Sequence, residues 1–154
     1  MKSELYSELE AQARSLLEGE TDFIANAANF SGLLYHSLPD LNWAGFYLLK
    51  GDELVLGPFQ GKPACIRIPL GKGVCGVAAE RRETLVVPNV HDFPGHIACD
   101  SASNSEIVVP LINQDQLIGV FDVDSPSLGR FSDEDAEGLN RLVEIFLAAT
   151  VTAA

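Results

Sequence analysis

Apolar residues recur at helical spacing near both ends of the chain. Residues 3–18 place leucines along one stripe of a helix, which we expect to stop at Gly19. The members of that stripe are Leu5, Leu9, Leu16 and Leu17. A second helix is expected to begin at Thr21 or Asp22, either of which can cap it, and to end before Pro39. Its apolar face comprises Phe23, Ile24, Ala27, Ala28, Phe30, Leu33 and Leu34.

The final helix is predicted by a capping signal followed by a periodic apolar run. Ser132 stands three residues before Asp135, which is the spacing of a capping box, and the acids there suit the positive end of a helix dipole. The helix should continue to about residue 150. Its stripe consists of Leu139, Leu142, Val143 and Phe146, with Ile145 beside it. A smaller helix rich in alanine and glycine is expected at residues 74–81.

Between the outer helices the pattern changes to the two-residue alternation of β-strands. Strands are expected at residues 42–49, 53–57, 64–68, 84–87, 105–112 and 116–124. Short polar turns at Gly51–Asp52 and Gln114–Asp115 connect two of these pairs as hairpins. The order of elements predicts an α+β domain with a mostly antiparallel sheet, in which the N- and C-terminal helices pack on one face.

One stretch fits no regular element. Residues 88–104 form a long polar segment that carries Cys99 in its second half and runs into the strand that opens near Glu106. The following strand ends with Asp122 and Asp124. Long irregular loops are uncommon in compact domains and are often functional. A thiol on such a loop, followed by three carboxylates at strand ends, therefore indicates a functional site.

Composition narrows the kinds of partner. The chain has 154 residues and a formal net charge of −12, so we expect one domain over residues 1–154 whose surface repels nucleic acid and anionic membranes. An acidic pocket in such a protein suits a ligand with an ammonium group. No apolar run is long enough for a membrane span, and the N-terminus lacks the apolar core of a signal peptide, so a cytoplasmic protein is expected. There, its three cysteines should be free, catalytic or redox-active.

The strand period places only part of the candidate site on one face. Residues two apart share a face, which groups Trp43 with Tyr47 and Asp122 with Asp124. A two-residue turn at Gln114–Asp115 would pair Glu106 with Val123 and thus turn Glu106 to the opposite face. We therefore expect a three-residue loop, or a β-bulge near Pro110, that returns Glu106 to the face of the two aspartates.

Four segments carry a pattern that is typical of one enzyme family. They are residues 42–47 (NWAGFY), 57–65 (GPFQGKPAC), 71–76 (GKGVCG) and 91–110, of which 94–106 (PGHIACDSASNSE) is the most specific. Over about residues 20–147 the chain closely resembles the free methionine-(R)-sulfoxide reductases, which have the GAF fold. The resemblance implies an enzyme that reduces free L-methionine-(R)-sulfoxide to L-methionine. We expect no cofactor and no metal.

The resemblance also implies a role for each candidate residue. The thiol that matches Cys99 is the nucleophile, and the thiol that matches Cys65 resolves its sulfenic acid as an intramolecular disulfide, which thioredoxin recycles. The cysteine that matches Cys75 can form disulfides as well, so three pairings stay open. The positions that line the substrate pocket match Trp43, Tyr47, Glu106, Asp122 and Asp124. The family further implies a homodimer.

The chemistry gives these residue types a purpose. Reducing a sulfoxide needs a nucleophile at sulfur, which a thiolate provides, and a proton at oxygen. Clustered carboxylates can hold that proton, because like charges in a partly desolvated pocket raise at least one pKa. We therefore expect Glu106 and Asp124 to act on the oxygen and Asp122, with help from Asp124, to bind the ammonium. Trp43 should pack against the S-methyl group, and backbone N–H groups of residues 95–106 should hold the substrate carboxylate.

Other interpretations exist for several of these residues. Cys65 and Cys75 could be buried apolar side chains without a redox role. His91 and His96 could bind zinc together with cysteines, but no Cys-x-x-Cys pair accompanies them, and we do not expect a metal. The alternative function is a GAF domain that senses a small molecule without catalysis. Such a domain has no need for a thiol on a loop.

Overall fold

A computed structural model describes residues 1–97 and 102–152 of the protein. The helices of this part are α1 (Lys2–Leu17), α2 (Phe23–Ser37), α3 (Gly73–Arg81) and α4 (Asp133–Ala149), with a 3-10 turn at Val90–Asp92. The strands are β1 (Trp43–Lys50), β2 (Glu53–Gly61), β3 (Arg67–Pro69), β4 (Leu85–Val87), β5 (Ser105–Asn113) and β6 (Gln116–Ser125). None of the helices in this part of the chain has the length and apolarity that crossing a membrane requires.

The strands form one sheet in the order β3-β2-β1-β6-β5-β4. Every neighbouring pair in it is antiparallel. The N-terminal helices α1 and α2 and the C-terminal helix α4 cover one face, whereas α3 covers the other. The predicted α+β class, with the terminal helices together on one face of an antiparallel sheet, is therefore confirmed.

The core under the terminal helices is built around four phenylalanines. The rings of Phe30, Phe46, Phe121 and Phe146 pack with centroids 4.9 to 5.9 Å apart. Three residues that we assigned to the apolar helix faces, Leu16, Ile24 and Ala28, are instead exposed. In α1 the buried stripe has the spacing of 3, 4 and 4 residues, and it runs through Tyr6, Leu9, Ala13 and Leu17. This spacing follows the helical period more closely than the leucines alone do.

Two strand predictions were wrong in extent. The second strand was expected to end at Gly57 but continues to Gly61, because its pairing with β1 shifts by one residue between Gly45 and Tyr47 and then resumes. The third strand was expected over residues 64–68 and is only Arg67–Pro69. Cys65 therefore lies in the connection between β2 and β3 rather than inside a strand. Pro63, which cannot donate a backbone hydrogen bond, precedes it.

The β5–β6 hairpin determines which face the acidic residues occupy. Its turn has two residues, Gln114 and Asp115, both with positive φ (51° and 65°), as a tight hairpin turn of this length requires. The register then shifts: Ile112 pairs with Leu117, but Leu111 pairs with Gly119. Ile118 is thus the extra residue of a β-bulge.

The bulge moves Glu106 to the face of the aspartates. Beyond Ile118 the pairing runs with Glu106 opposite Asp124 and Val108 opposite Asp122. The predicted irregularity is confirmed, one residue past Pro110 on β5, with its extra residue on β6. Pro110 itself lies where β5 has no second neighbour, since β4 pairs only with residues 106–108. A proline is tolerated at such an edge.

Candidate active site

The face of the sheet under α3 carries a buried cluster of three acids. Glu106, Asp122 and Asp124 project from the ends of β5 and β6 and are 7%, 5% and 9% exposed. They share this face because Glu106 pairs with Asp124, which in turn pairs with Trp43 of β1. All three predicted acids are therefore together in one pocket. They are not the solvated strand-end charges that such residues form when taken singly.

The acids and Cys75 of α3 lie close together. Cys75 Sγ donates to Glu106 Oε2 at 3.8 Å, and the donor atoms of Cys75, Glu106 and Asp122 lie within 4.8 Å of one another. Like charges this close in a buried site disfavour the ionisation of both carboxyl groups. Burial and the neighbouring Asp122 raise the pKa of Glu106, and burial together with Asp124 raises the pKa of Asp122. The cluster therefore retains a proton to a higher pH than isolated carboxylates do.

One oxygen of the cluster has no partner. Oδ1 of Asp122 is buried without a hydrogen bond from any residue in the described part of the chain. A buried acceptor of this kind is unfavourable unless something else fills its valence. No lysine or arginine lines the described part of the pocket.

An aromatic wall faces the acids. Trp43 stacks on Tyr47 at 5.8 Å and on Phe59 at 5.2 Å, and its Nε1 donates to Lys62 O at 3.1 Å. Close approach makes this stack possible: a Cβ at Gly45 would overlap Phe59 and lie 2.9 Å from the Trp43 ring. The indole is therefore fixed in position before any ligand binds.

Tyr47 connects the pocket to the β2–β3 connection. Its hydroxyl donates to Cys65 O at 2.8 Å, which ties the backbone of this cysteine to the acidic pocket. Burial, followed by the charge of Asp122, raises the pKa of Tyr47 well above its usual value. Tyr47 therefore stays a neutral donor at any physiological pH.

The structure describes two of the three cysteines, and these two differ in oxidation state. Cys65 is disulfide-bonded, whereas Cys75 is a buried free thiol. Burial and the charges of Asp122 and Glu106 raise the pKa of the Cys75 thiol. Cys99, our predicted nucleophile, lies outside the described residues, as do the three residues adjoining it at 98 and 100–101.

The donor atoms of Cys75, Glu106 and Asp122 are close enough to share a metal ion, since they lie within 4.8 Å of one another. Their shared place in the pocket accounts for this proximity. His91 and His96, which we considered as zinc ligands, are not members of that group. Their rings contact each other edge-on with centroids 6.4 Å apart, and His91 Nε2 bonds to Asn104 Oδ1 at 2.9 Å.

Comparison with known proteins places this site in a family. A GAF domain model matches residues 7–149. The free methionine-R-sulfoxide reductase of Escherichia coli is 58% identical over 92% of this chain and 86% of its own length. The free methionine-R-sulfoxide reductase of Neisseria meningitidis, solved in complex with its substrate, superimposes with a TM-score of 0.93 at 46% identity, covering 97% of this chain and 90% of that one. A candidate GAF sensor protein from Burkholderia vietnamiensis superimposes with a TM-score of 0.95 at 65% identity, covering 97% and 96%.

The chain belongs to the free methionine-R-sulfoxide reductase family of GAF domains. The resemblance that we drew from the motifs is thus confirmed. The pocket of this chain also includes residues that sequence patterns did not identify as site residues: Ala64, Ile68, Gly73, Val74, His96, Ile97 and Ser103. Most of them are small or apolar, and no spacing distinguishes such residues from the core.

Among these additional pocket residues, His96 is the one with recognisable chemistry. It was considered only as a zinc ligand, yet it lines the pocket of this reductase. Its Nδ1 is buried and has no hydrogen-bond partner in the described part of the chain. Burial and the nearby His91 lower its pKa, so the imidazole is neutral at pH 7. The space left free within the described lining of the pocket is about 40 Å³.

Proposed function

We propose that this protein reduces free L-methionine-(R)-sulfoxide to L-methionine with its own thiols. The observation that carries the proposal is the buried acid cluster of Glu106, Asp122 and Asp124 facing the fixed indole of Trp43, in a chain of the free methionine-R-sulfoxide reductase family. An acid, an acceptor for an ammonium group and an apolar wall are the three features that this substrate requires.

Each end of the substrate has a proposed partner. Asp122 accepts from the ammonium group, which would satisfy its unpartnered Oδ1. Asp124 supports it in this role. Trp43 packs against the S-methyl group and thereby helps to select the R epimer. The substrate carboxylate binds to backbone N–H groups within residues 95–106, because no lysine or arginine lines the described part of the pocket.

The first chemical step forms methionine. The Cys99 thiolate attacks the sulfoxide sulfur and forms a sulfur–sulfur bond, and the oxygen receives one proton from the cluster around Glu106 and Asp124. The hydroxyl group then moves to the Cys99 sulfur as the sulfur–oxygen and sulfur–sulfur bonds to the substrate break. Cys99 is left as a sulfenic acid, and the sulfoxide is reduced to the thioether. The raised pKa of Glu106 supports its part as proton donor, since a carboxyl group must be protonated at neutral pH to serve.

The second step restores the oxidation state of Cys99. The thiol of Cys65 attacks the sulfenic sulfur, which releases water and forms the 65–99 disulfide. The disulfide-bonded state of Cys65 and the free state of Cys75 support this pairing over the two others. Thioredoxin then reduces the disulfide with its own dithiol. Ile66, next to Cys65, is 67% exposed and offers an apolar contact to such a reductant. Cys75 belongs to the same catalytic cluster through its hydrogen bond to Glu106.

We further propose a cytoplasmic, homodimeric protein that consists of a single domain. The family resemblance supports the dimer, and the dependence on reduced thiols supports the compartment. The rival function, a sensory GAF domain without catalysis, is favoured by the name of the Burkholderia relative alone. It gives no role to the paired redox state of Cys65.

Mixing reduced protein with one equivalent of free methionine-(R)-sulfoxide tests the proposal. We expect about one equivalent of methionine and the loss of two thiols, and neither with the S epimer. The Cys99→Ser variant should form no methionine, whereas Cys65→Ser should form it once and lack the disulfide. Binding without thiol oxidation would support the sensory domain instead. Peptide mapping that links Cys75 to Cys99 would transfer the resolving role to Cys75.

A further inference from the structure

Cys75 occupies a position that suits a hydrogen-bond donor better than a redox thiol. It is the third residue of α3, it is 5% exposed, and its thiol is free. Its Sγ donates to Glu106 Oε2 at 3.8 Å and lies within 4.8 Å of a carboxylate oxygen of Asp122. The thiol thus points into the acid cluster from the helix that covers it.

We propose that Cys75 is a positioning residue that hydrogen-bonds to Glu106 and Asp122 and takes no part in the disulfide exchange. The inference rests on the proposed function, in which Glu106 donates a proton to the sulfoxide oxygen and Asp122 binds the ammonium group. It changes our expectation from the family resemblance, in which the matching cysteine can form disulfides.

The pocket offers the two carboxylates few other donors. Trp43 Nε1 donates to Lys62 O and Tyr47 Oη donates to Cys65 O, so both aromatic donors are engaged outside the cluster. The described lining contains no lysine or arginine. An ionised carboxylate accepts hydrogen bonds but donates none, so two ionised acids cannot hydrogen-bond to each other. The S–H group of Cys75 supplies the donor that they lack.

The same surroundings make Cys75 a poor redox group. A thiol attacks as a thiolate, and burial next to Asp122 and Glu106 disfavours that ion. A protein reductant must also reach the sulfur of a mixed disulfide, which the burial of Cys75 prevents. Cys65, by contrast, is only partly buried and has the exposed Ile66 beside it.

The hydrogen bond has a consequence for protonation. Donation from Cys75 stabilises the ionised forms of Glu106 and Asp122 and so lowers their pKa values against the larger effect of burial. Removing the donor should let the cluster hold its proton to a higher pH. The other titratable groups that face the cluster are Asp124 of β6, Tyr47 of β1 and His96, and none of them is altered by this change.

The kinetic test compares single-turnover rates of methionine formation across pH for Cys75→Ala, Cys75→Ser and Val120→Ala. We expect Cys75→Ala to be about tenfold slower near neutral pH, which corresponds to the loss of one hydrogen bond to a charged group. Its alkaline limb should move to higher pH. Cys75→Ser should fall between it and the wild type, because a hydroxyl donates but reaches less far. Val120→Ala removes buried volume on β6 two residues before Asp122 but outside the pocket lining, and its pH profile should match the wild type.

A second readout does not depend on turnover. With the Cys65 disulfide formed and checked by thiol counting, one thiol remains, and its infrared S–H stretch reports the hydrogen bond of Cys75. We expect the band at a lower frequency than that of a free thiol and a shift toward the free value in Glu106→Gln or Asp122→Asn.

Two results would overturn the inference. One is a Cys75→Ala variant that completes a normal single turnover with an unmoved pH profile, whether or not it then fails to recycle. The other is an S–H band that does not respond to either carboxamide variant. Failure of the proposed function itself would show as a wild type that forms no methionine, and the infrared band would then still decide whether Cys75 donates to the acids.

Discussion

Two buried aspartates on opposite faces of the sheet show how differently the same side chain can be used. Asp135, at the start of α4, is 1% exposed and is surrounded by donors: Lys2 Nζ at 2.6 Å, Tyr6 Oη at 2.7 Å and the backbone N–H of Ser132 at 2.8 Å. Asp122 is 5% exposed, lies among other acids, and has an oxygen without a partner in the described part of the chain.

The pKa values of the two aspartates differ because their hydrogen-bond partners differ. Burial alone would raise the pKa of Asp135, but the hydrogen bonds from Lys2, Ser132 and Tyr6 outweigh it and lower the pKa. Burial and Asp124 raise the pKa of Asp122, and no lysine or arginine of the described pocket lining opposes them. A buried acid whose donors are complete ties elements of the fold together. Asp122 lacks such a set of donors, and in the proposed function its Oδ1 accepts from the substrate ammonium group.

The largest expected effect is the loss of stability on replacing Asp135. In Asp135→Asn the Lys2 contact loses its charge partner, and the buried Tyr6 hydroxyl and the capping box lose a strong acceptor. We expect a loss of about 3 kcal/mol in the free energy of unfolding, which is the lower end for breaking a buried ion pair. Urea denaturation measures it. The single-turnover rate of the folded fraction should be unchanged, and a stability equal to the wild type would contradict the comparison.

Asp122→Asn should give the opposite pattern. The folded state loses an unpaired buried acid, so the free energy of unfolding at pH 8 should be equal to or above that of the wild type. Discrimination between free methionine-(R)-sulfoxide and its N-acetyl derivative should fall by about two orders of magnitude, because a charge-assisted contact to the ammonium is lost. The ratio of kcat/KM for the two compounds measures it. A preserved preference would assign the ammonium to another residue.

The two aspartates should also respond in opposite directions to pH. The folded-state pKa of Asp135 is below the unfolded value of about 4, so its contribution to stability is present above that pH and is lost as the pH falls through the folded pKa. Acid titration of the unfolding free energy should therefore be flatter below pH 4 in Asp135→Asn than in the wild type. Identical slopes would show that Asp135 is not held in its ionised form.

Above about pH 4, we expect Glu106 and Asp122 to determine how the free energy of unfolding changes with pH. Their folded-state pKa values are raised, so the folded state binds more protons than the unfolded state above about pH 4, and stability falls as the pH rises toward the folded pKa values. This is the smallest effect of the four. The decline between pH 5 and pH 8 (about the range in which unfolded carboxylates stay ionised) should be weaker in Glu106→Gln. An equally steep decline in that variant would assign it to other groups.

Sequence patterns predicted the helices and strands of the phenylalanine core and the acids of the pocket. They did not predict which other residues complete the lining of the pocket. The periodicity of α4 and the alternation of β6 are local properties, and both were predicted closely. The exposure of Leu16, the short β3 and the place of His96 in the pocket depend on which distant segments pack against them. The contact of Lys2 with Asp135 joins residues 133 positions apart, and no local pattern encodes such a pairing.

The bulge at Ile118 has a consequence for how this domain can change in evolution. Successive side chains of a strand point to opposite faces of the sheet. The single extra residue therefore determines which face the rest of β6 shares with β5. Deleting it would leave the turn intact and the composition nearly unchanged, yet one of the two strands would have to present its core residues to the pocket and its acids to the phenylalanine core. An insertion or deletion of one residue between the turn and Gly119 would therefore reverse the facing of one whole strand. The same change in the turn of the β1–β2 hairpin would leave the three acids on one face.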